Sequence, residues 1–306
     1  MSSSRHPRFK RSATVDPIRL TERDRTIIQT VYKHRFLSSS HLIKLLGESR
    51  QPILRRLQLL YHHGFLERPR AQINYYHKGG SRHIVYGIGN KGAALLKQEL
   101  GLPLRVLRWS EKNRAVGRIF LEHALLVSDV MVAFEIACRE SSKIQFLTED
   151  QLPTNIGDGH RSFHWNVTLS TGEKLGIIPD RIFALKYSGE AGKCNRAFFF
   201  LEADRGTMPI KRRQLSQTSF YRKLLGYEAT WAQSIHRSRF GFHRFRVLTI
   251  TTSAGRLRSL AEACSQLKSG HGLFLFTDQK LLGGHTNVLS SIWQTWKQGE
   301  IVSLLN

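Results

Sequence analysis

Apolar residues recur at helical spacing from Leu20 onward: Ile27, Ile28, Val31 and Tyr32 form one stripe that runs out near His34, with Thr21 placed to cap it and Asp24 in its first turn. Ser38 to Ser40 offer a cap for a second, short helix that Gly47 stops after Leu46. Ser49 opens a third over residues 50–63, with Ile53, Leu57 and Leu60 at the spacing of a buried face. The pattern then shortens to two strands, 65–68 and 83–88, around a polar stretch, and returns to helix over 93–100. Further on, a long amphipathic helix is predicted over 119–139, strands over 143–147, 174–185, 197–202, 245–251 and 273–276, and helices over 214–232, 256–267 and 288–297. That order predicts an α+β chain whose second part is a sheet flanked by helices.

Three short helices followed by a hairpin predict a winged helix-turn-helix over residues 17–100, preceded by a disordered basic arm (1–16) and followed by a linker (101–118) and an α/β domain (119–306). Arg50 and Gln51 open the third helix, the end that enters a major groove, and are the expected base readers; Arg55 and Arg56 lie on the same helix. Lys78 and Arg82 in the hairpin tip are expected on phosphates. The string Gly87-Ile-Gly-Asn-Lys-Gly92 matches a dinucleotide fingerprint, but a hairpin precedes it and no βαβ unit follows, so the match is read as accidental.

Charge sharpens this picture. The chain has 306 residues, 47 Lys and Arg against 23 Asp and Glu, and a net charge of +24, which calls for a polyanionic partner. The excess is steepest at the front, where residues 1–110 hold 21 basic and 6 acidic side chains. No apolar run reaches the roughly 18 residues a membrane span requires, and none follows the Met-Ser-Ser-Ser-Arg start, so neither a membrane nor secretion is expected. Cys138, Cys194 and Cys264 are far apart, which fits a reducing cytoplasm better than a disulfide framework or a zinc site.

Two strings carry the candidate chemistry: Ile177-Ile-Pro-Asp180 and Phe198-Phe-Phe-Leu-Glu-Ala-Asp204. Each ends an apolar, β-forming run in acids. Side chains two apart share a strand face, so Glu202 and Asp204 are expected to meet Asp180 from the neighbouring strand and hold Mg²⁺ or Mn²⁺, with no organic cofactor. Arg205, Lys211, Arg212 and Arg213 follow at once, where a phosphate needs neutralising. The histidines form no His-x-His element, and no tyrosine lies beyond Tyr227, downstream of His236-Arg-Ser-Arg239, where a recombinase nucleophile would stand.

Helix, strand, strand with Pro-Asp, strand with Glu-x-Asp, helix, strand resembles the PD-(D/E)xK (restriction-endonuclease-like) nuclease superfamily over roughly residues 119–252. Gln217 and Tyr221 resemble the Gln-x-x-x-Tyr element of its RecB-like branch, and Glu122 an extra acid on the leading helix. The superfamily's lysine is replaced by Asp204; either Lys211 or Lys223 supplies that charge, or the site is weakened or dead. Taken with the winged helix and Leu201-Glu-Ala-Asp-Arg-Gly-Thr207, the chain resembles the replication-relaxation family of plasmids and integrative elements. The resemblance implies sequence-directed binding of double-stranded DNA and metal-dependent nicking or relaxation, with homodimerisation and other replication or mobilisation proteins as further partners. The alternative it leaves open is a non-catalytic initiator or accessory factor on a degenerate nuclease fold.

Overall fold

The computed structural model describes residues 8–13, 15–73, 83–102, 108–152, 163–188, 194–283 and 287–305. They form a mixed α+β protein of two compact units, Met1–Val132 and Ala133–Asn306.

In the first unit, α1 (Glu22–His34) starts at a capping box: Thr21 accepts the Asp24 N–H while the Asp24 carboxylate accepts the Thr21 N–H at 2.8 Å. Its stripe of Ile27, Ile28 and Val31 is fully buried. β1 (Leu37–Ser38) leads into α2 (Ser39–Leu46), which Ser38 caps and Gly47 ends in the left-handed conformation at φ 66°. α3 (Arg50–His62) buries Ile53, Leu57 and Leu60 as its periodicity predicts. β2 (Leu66–Glu67) and β1 flank β3 (Val85–Ile88) in a three-stranded antiparallel sheet. The hairpin tip, with Lys78 and Arg82, lies outside the described residues.

α4 (Asn90–Leu100) follows β3, and its glycines have a steric purpose. A Cβ on Gly89 would stand 2.4 Å from the Gly64 carbonyl oxygen, and one on Gly92 2.3 Å from that of Phe65. The fingerprint-like string therefore lets a helix start press against the preceding turn, beside an antiparallel strand rather than a nucleotide-binding parallel one.

Two expectations change here. The described part of the arm is tied down: the Arg11 guanidinium donates to the Tyr61 and Leu66 carbonyls and pairs with buried Glu67 at 2.9 Å, while the Ser12 N–H donates to His62 Nδ1. Aromatic and carboxylate partners on α3 and β2 explain why a polar, basic string is not a free tail. The region read as linker contains α5 (Trp109–Arg114), whose Asn113 donates to the Ile88 carbonyl and whose Arg114 also pairs with Glu67. α6 (Arg118–Glu140) then contributes residues to both units.

The second unit is built on a seven-stranded mixed sheet. β4 (Ile144–Thr148), β7 (Arg181–Ser188) and β8 (Cys194–Asp204) are antiparallel neighbours; β9 (Phe245–Thr251) and β10 (Phe274–Asp278) continue parallel to β8; β11 (Trp293–Gln294) and β12 (Ile301–Val302) close the edge antiparallel. β8 is central and buried from Phe198 to Asp204, which is why it reads as an apolar run, Phe198 to Leu201, up to its acids. One sheet face carries Phe198 and Phe200 under α7 (Phe220–Ala232) and α9 (Ala254–Ser265); on the other, Phe199 stacks on Phe183, which meets Phe134 of α6, itself stacked on Trp293. Short α8 (Ile235–Ser238) follows α7, and short α10 (Gln279–Gly283) follows β10.

A separate two-stranded hairpin, β5 (Trp165–Thr168) with β6 (Lys174–Ile177), lies against α7. A Cβ on Gly226 of α7 would meet Ile177 Cδ1 at 2.1 Å, so the bare glycine sets how closely helix and hairpin approach. Among the described residues no helix is long and apolar enough to cross a membrane, and the three cysteines are free thiols.

Candidate active site

Register brings the two acidic strings together. β7 and β8 pair antiparallel with Arg181 opposite Leu201, which places Asp180, just before β7, beside the end of β8. The Asp180 N–H donates to the Leu201 carbonyl at 3.0 Å, and Asp180 Oδ2 accepts the Ala203 N–H at 2.8 Å. Pro179 has no N–H to lose and breaks the chain out of β6, so the aspartate is fixed at a strand entry.

Glu202 is 2% exposed, on the sheet face covered by α7. That helix starts at Phe220, where the Ser219 hydroxyl accepts the Arg222 N–H. The Phe220 and Tyr221 N–H groups donate to the Pro209 and Ile210 carbonyls, so the loop after β8 is pinned to the first helical turn. From this anchored start, Lys223 and Tyr227, one turn apart on one face, both reach Glu202. Lys223 Nζ lies 2.5 Å from Oε2, and the Tyr227 hydroxyl donates to Oε1 at 2.6 Å.

Burial raises the Glu202 carboxyl above the usual carboxylate range, and the charge of Asp180 adds to the rise, while Lys223 and the two hydrogen bonds oppose it. For Lys223, burial alone would lower the amine, yet Glu202, Asp180 and Asp204 together hold it above its ordinary value. Lys223 is thus an ammonium at neutral pH, a fixed positive charge rather than a base. Burial and Glu202 hold Tyr227 well above the ordinary phenol range, so it is a hydrogen-bond donor and no nucleophile. The group opens on a cleft of about 320 Å³ lined by Gly176, Ile178, Thr218, Arg222, Lys223 and Glu202.

The expected third carboxylate does not join. Asp204 is paired bidentately with Arg256 at 2.8 and 3.0 Å and accepts the Thr251 hydroxyl at 2.9 Å. Among the described residues no three His, Cys, Asp or Glu side chains gather as metal ligands. Lys211 is also elsewhere, its ammonium 4.5 Å over the Tyr221 ring. Gln217 lies in a turn ahead of α7 rather than on it, exposed, and the Tyr221 hydroxyl donates to the Gln266 carbonyl. Arg212 and Arg213 are exposed beside this region, and Arg205 is half-buried. Glu122 pairs with Arg118 at the start of α6.

Arg256 and Tyr227 are the residues that sequence reasoning missed. Tyr227 was legible as the partner of Lys223, four residues away on a helix whose other inward positions are apolar. Arg256 gave only a faint signal, an arginine in the first turn of a helix after a Ser cap.

On α3, Arg50, Gln51 and Arg55 are exposed. Arg56 is not available as a groove contact: it points back to α1, where it pairs with fully buried Asp24 at 2.8 and 2.5 Å and reaches the Arg19 carbonyl. The unpaired Asp24 carboxylate would be costly, and Arg56 is the cation that reaches it.

No curated protein and no solved structure matches the chain. The replication-relaxation family model matches residues 28–244, from α1 through the turn before β9 and across the whole Asp180–Glu202–Lys223 site, and the chain belongs to the replication-relaxation family.

Proposed function

We propose that this protein acts in the replication or relaxation of a plasmid or mobile element by holding DNA on its first unit and cutting one strand in the cleft of its second. The family supplies the setting. A winged-helix mode for the first unit is supported by α3, which presents Arg50, Gln51 and Arg55 outward, and by the β2–β3 pairing behind it. The order α6, β4, β7, β8, α7, β9, with the first three strands antiparallel and the fourth parallel, supports a PD-(D/E)xK-like core in which β5–β6 is an insertion.

One observation carries the catalytic half: Glu202 and Lys223 meet at a solvent-reached cleft, and Asp180, fixed beside the end of β8, acts electrostatically on both. Two carboxylates are a donor set that suits Mg²⁺ or Mn²⁺, which take one or two from protein and complete their shell with phosphate oxygens and water. Such an ion, when bound, would neutralise charge on the phosphate and acidify a water. Asp180 is held rigid by the Ala203 N–H, Tyr227 orients Glu202, and Lys223 keeps a positive charge where phosphate charge develops.

The non-catalytic alternative is favoured by one fact: both Glu202 oxygens are already satisfied by Lys223 and Tyr227. Incubating supercoiled plasmid carrying the element's own origin with Mg²⁺ or Mn²⁺ decides between them. Wild type is expected to nick, and Asp180→Asn, Glu202→Gln and Lys223→Met each to lose about 100-fold or more, the scale of an electrostatic contact made in the transition state. Equal behaviour of all four proteins selects the non-catalytic role.

A further inference from the structure

The β5–β6 hairpin has two unlike faces. Trp165, Val167, Leu175 and Ile177 are buried toward α7, while His164, Asn166, Thr168, Lys174 and Gly176 all point to solvent. The outer edge of β5 is already covered: Arg239 donates to the His164 carbonyl at 2.8 Å and Gln233 to the Thr168 carbonyl at 2.6 Å. The outer face is open to solvent.

That face carries a polar platform. Asn166 stands directly opposite Gly176, and a Cβ at Gly176 would lie 3.3 Å from Asn166 Oδ1 and 3.6 Å from His164 Nε2. An amide and an imidazole thus lean over a position with no side chain of its own, a strand glycine of the kind that admits close approach by a ligand. Neither β5 nor β6 carries an acid on this face. Glu173 in the turn between them is bound to Arg222, and Lys174 stands on the open face. The ribbon also ends in the cleft, through Gly176 and 70%-exposed Ile178.

We infer that the outer face of β5–β6 is a second DNA-reading element, a two-stranded ribbon that enters the major groove next to the phosphate held at Lys223. A major groove admits such a ribbon, and asparagine over a bare glycine has the donor and acceptor to take an adenine edge bidentately, with His164 beside it and Lys174 on the backbone. The inference rests on the cleft being the DNA site, but its test does not require cleavage.

Full-length protein is used to select binding sites from a random duplex library in EDTA. Wild type is expected to enrich two separate sequence blocks, one read by α3 and one by the ribbon. Asn166→Ala and Gly176→Leu, the second filling the platform, are expected to flatten the ribbon block and to lose about tenfold to a hundredfold in affinity for the wild-type consensus. Both should keep the α3 block, which Arg50→Ala and Gln51→Ala flatten instead. A single block in wild type, or two unchanged blocks in both ribbon variants, overturns the proposal. Loss of the ribbon block in a protein that never nicks would sink the catalytic reading and leave this one standing.

Discussion

At Glu202 one carboxylate is asked to stay charged inside a sheet and under a helix. Burial favours its neutral form, and only the Lys223 ammonium and two hydrogen bonds hold the balance. As pH falls, a carboxyl raised above the ordinary range of about 4.3 takes its proton earlier than an exposed glutamate, so nicking should fail on an acid limb above that range. Lys223→Met removes the opposing charge and should move the limb to higher pH. Tyr227→Phe removes one hydrogen bond and should move it the same way by less. Residual nicking rates across pH, with a ¹³C-carboxyl titration of Glu202 as an independent reading, check this; a limb that stays put in Lys223→Met would mean that Glu202 is not the titrating group. Asp204 cannot substitute for it, because its charge is spent on Arg256.

The elements were legible where one period dominates. Ile27–Ile28–Val31 and Ile53–Leu57–Leu60 announce α1 and α3, and the run Phe198–Asp204 announces a central strand. Residues 174–185 read as one strand, yet Pro179 splits them into β6 and β7, and β5 is too short to stand out from its polar alternation. The predicted helix over 288–297 is instead a turn and β11: Trp293 is buried and donates to the Val288 carbonyl, a tertiary demand that its helical-looking spacing does not reveal. α7 starts six residues later than its pattern suggests, its first N–H groups held by the Pro209 and Ile210 carbonyls of the loop after β8. Pairing between elements was the least visible. Arg56 looks like a surface arginine, but it locks α3 to α1 through Asp24. Arg56→Ala should therefore cost about 3 kcal/mol in urea unfolding, since it strands a buried carboxylate. Burial would raise Asp24, but the Arg56 and Thr21 hydrogen bonds outweigh it and hold it low. Its contribution is thus present above an unfolded aspartate's pKa of about 3.9 and is lost as pH drops through the lowered folded value. Arg56→Ala should flatten that acid loss; an unchanged urea midpoint would show that the pair does not anchor the two helices.

For the whole molecule, a net charge of +24 predicts DNA affinity that falls steeply with salt, whatever the sequence bound. Position decides which charges contribute. Arg50 and Arg55 face outward from α3, whereas Arg56 and Arg11 are held by carboxylates of their own unit and Arg256 by Asp204. In EDTA, with nicking removed and binding left, the slope of log affinity against log salt should shallow by about 0.9 for each phosphate that Arg50→Ala or Arg55→Ala leaves without its cation. Arg256→Ala, folded and assayed alongside, should leave the slope alone, because its guanidinium is neutralised inside the fold. If Arg256→Ala shallows the slope as much as Arg55→Ala does, then Asp204 does not hold that arginine when DNA is present, and the division between structural and DNA-facing charge drawn from the ion pairs fails.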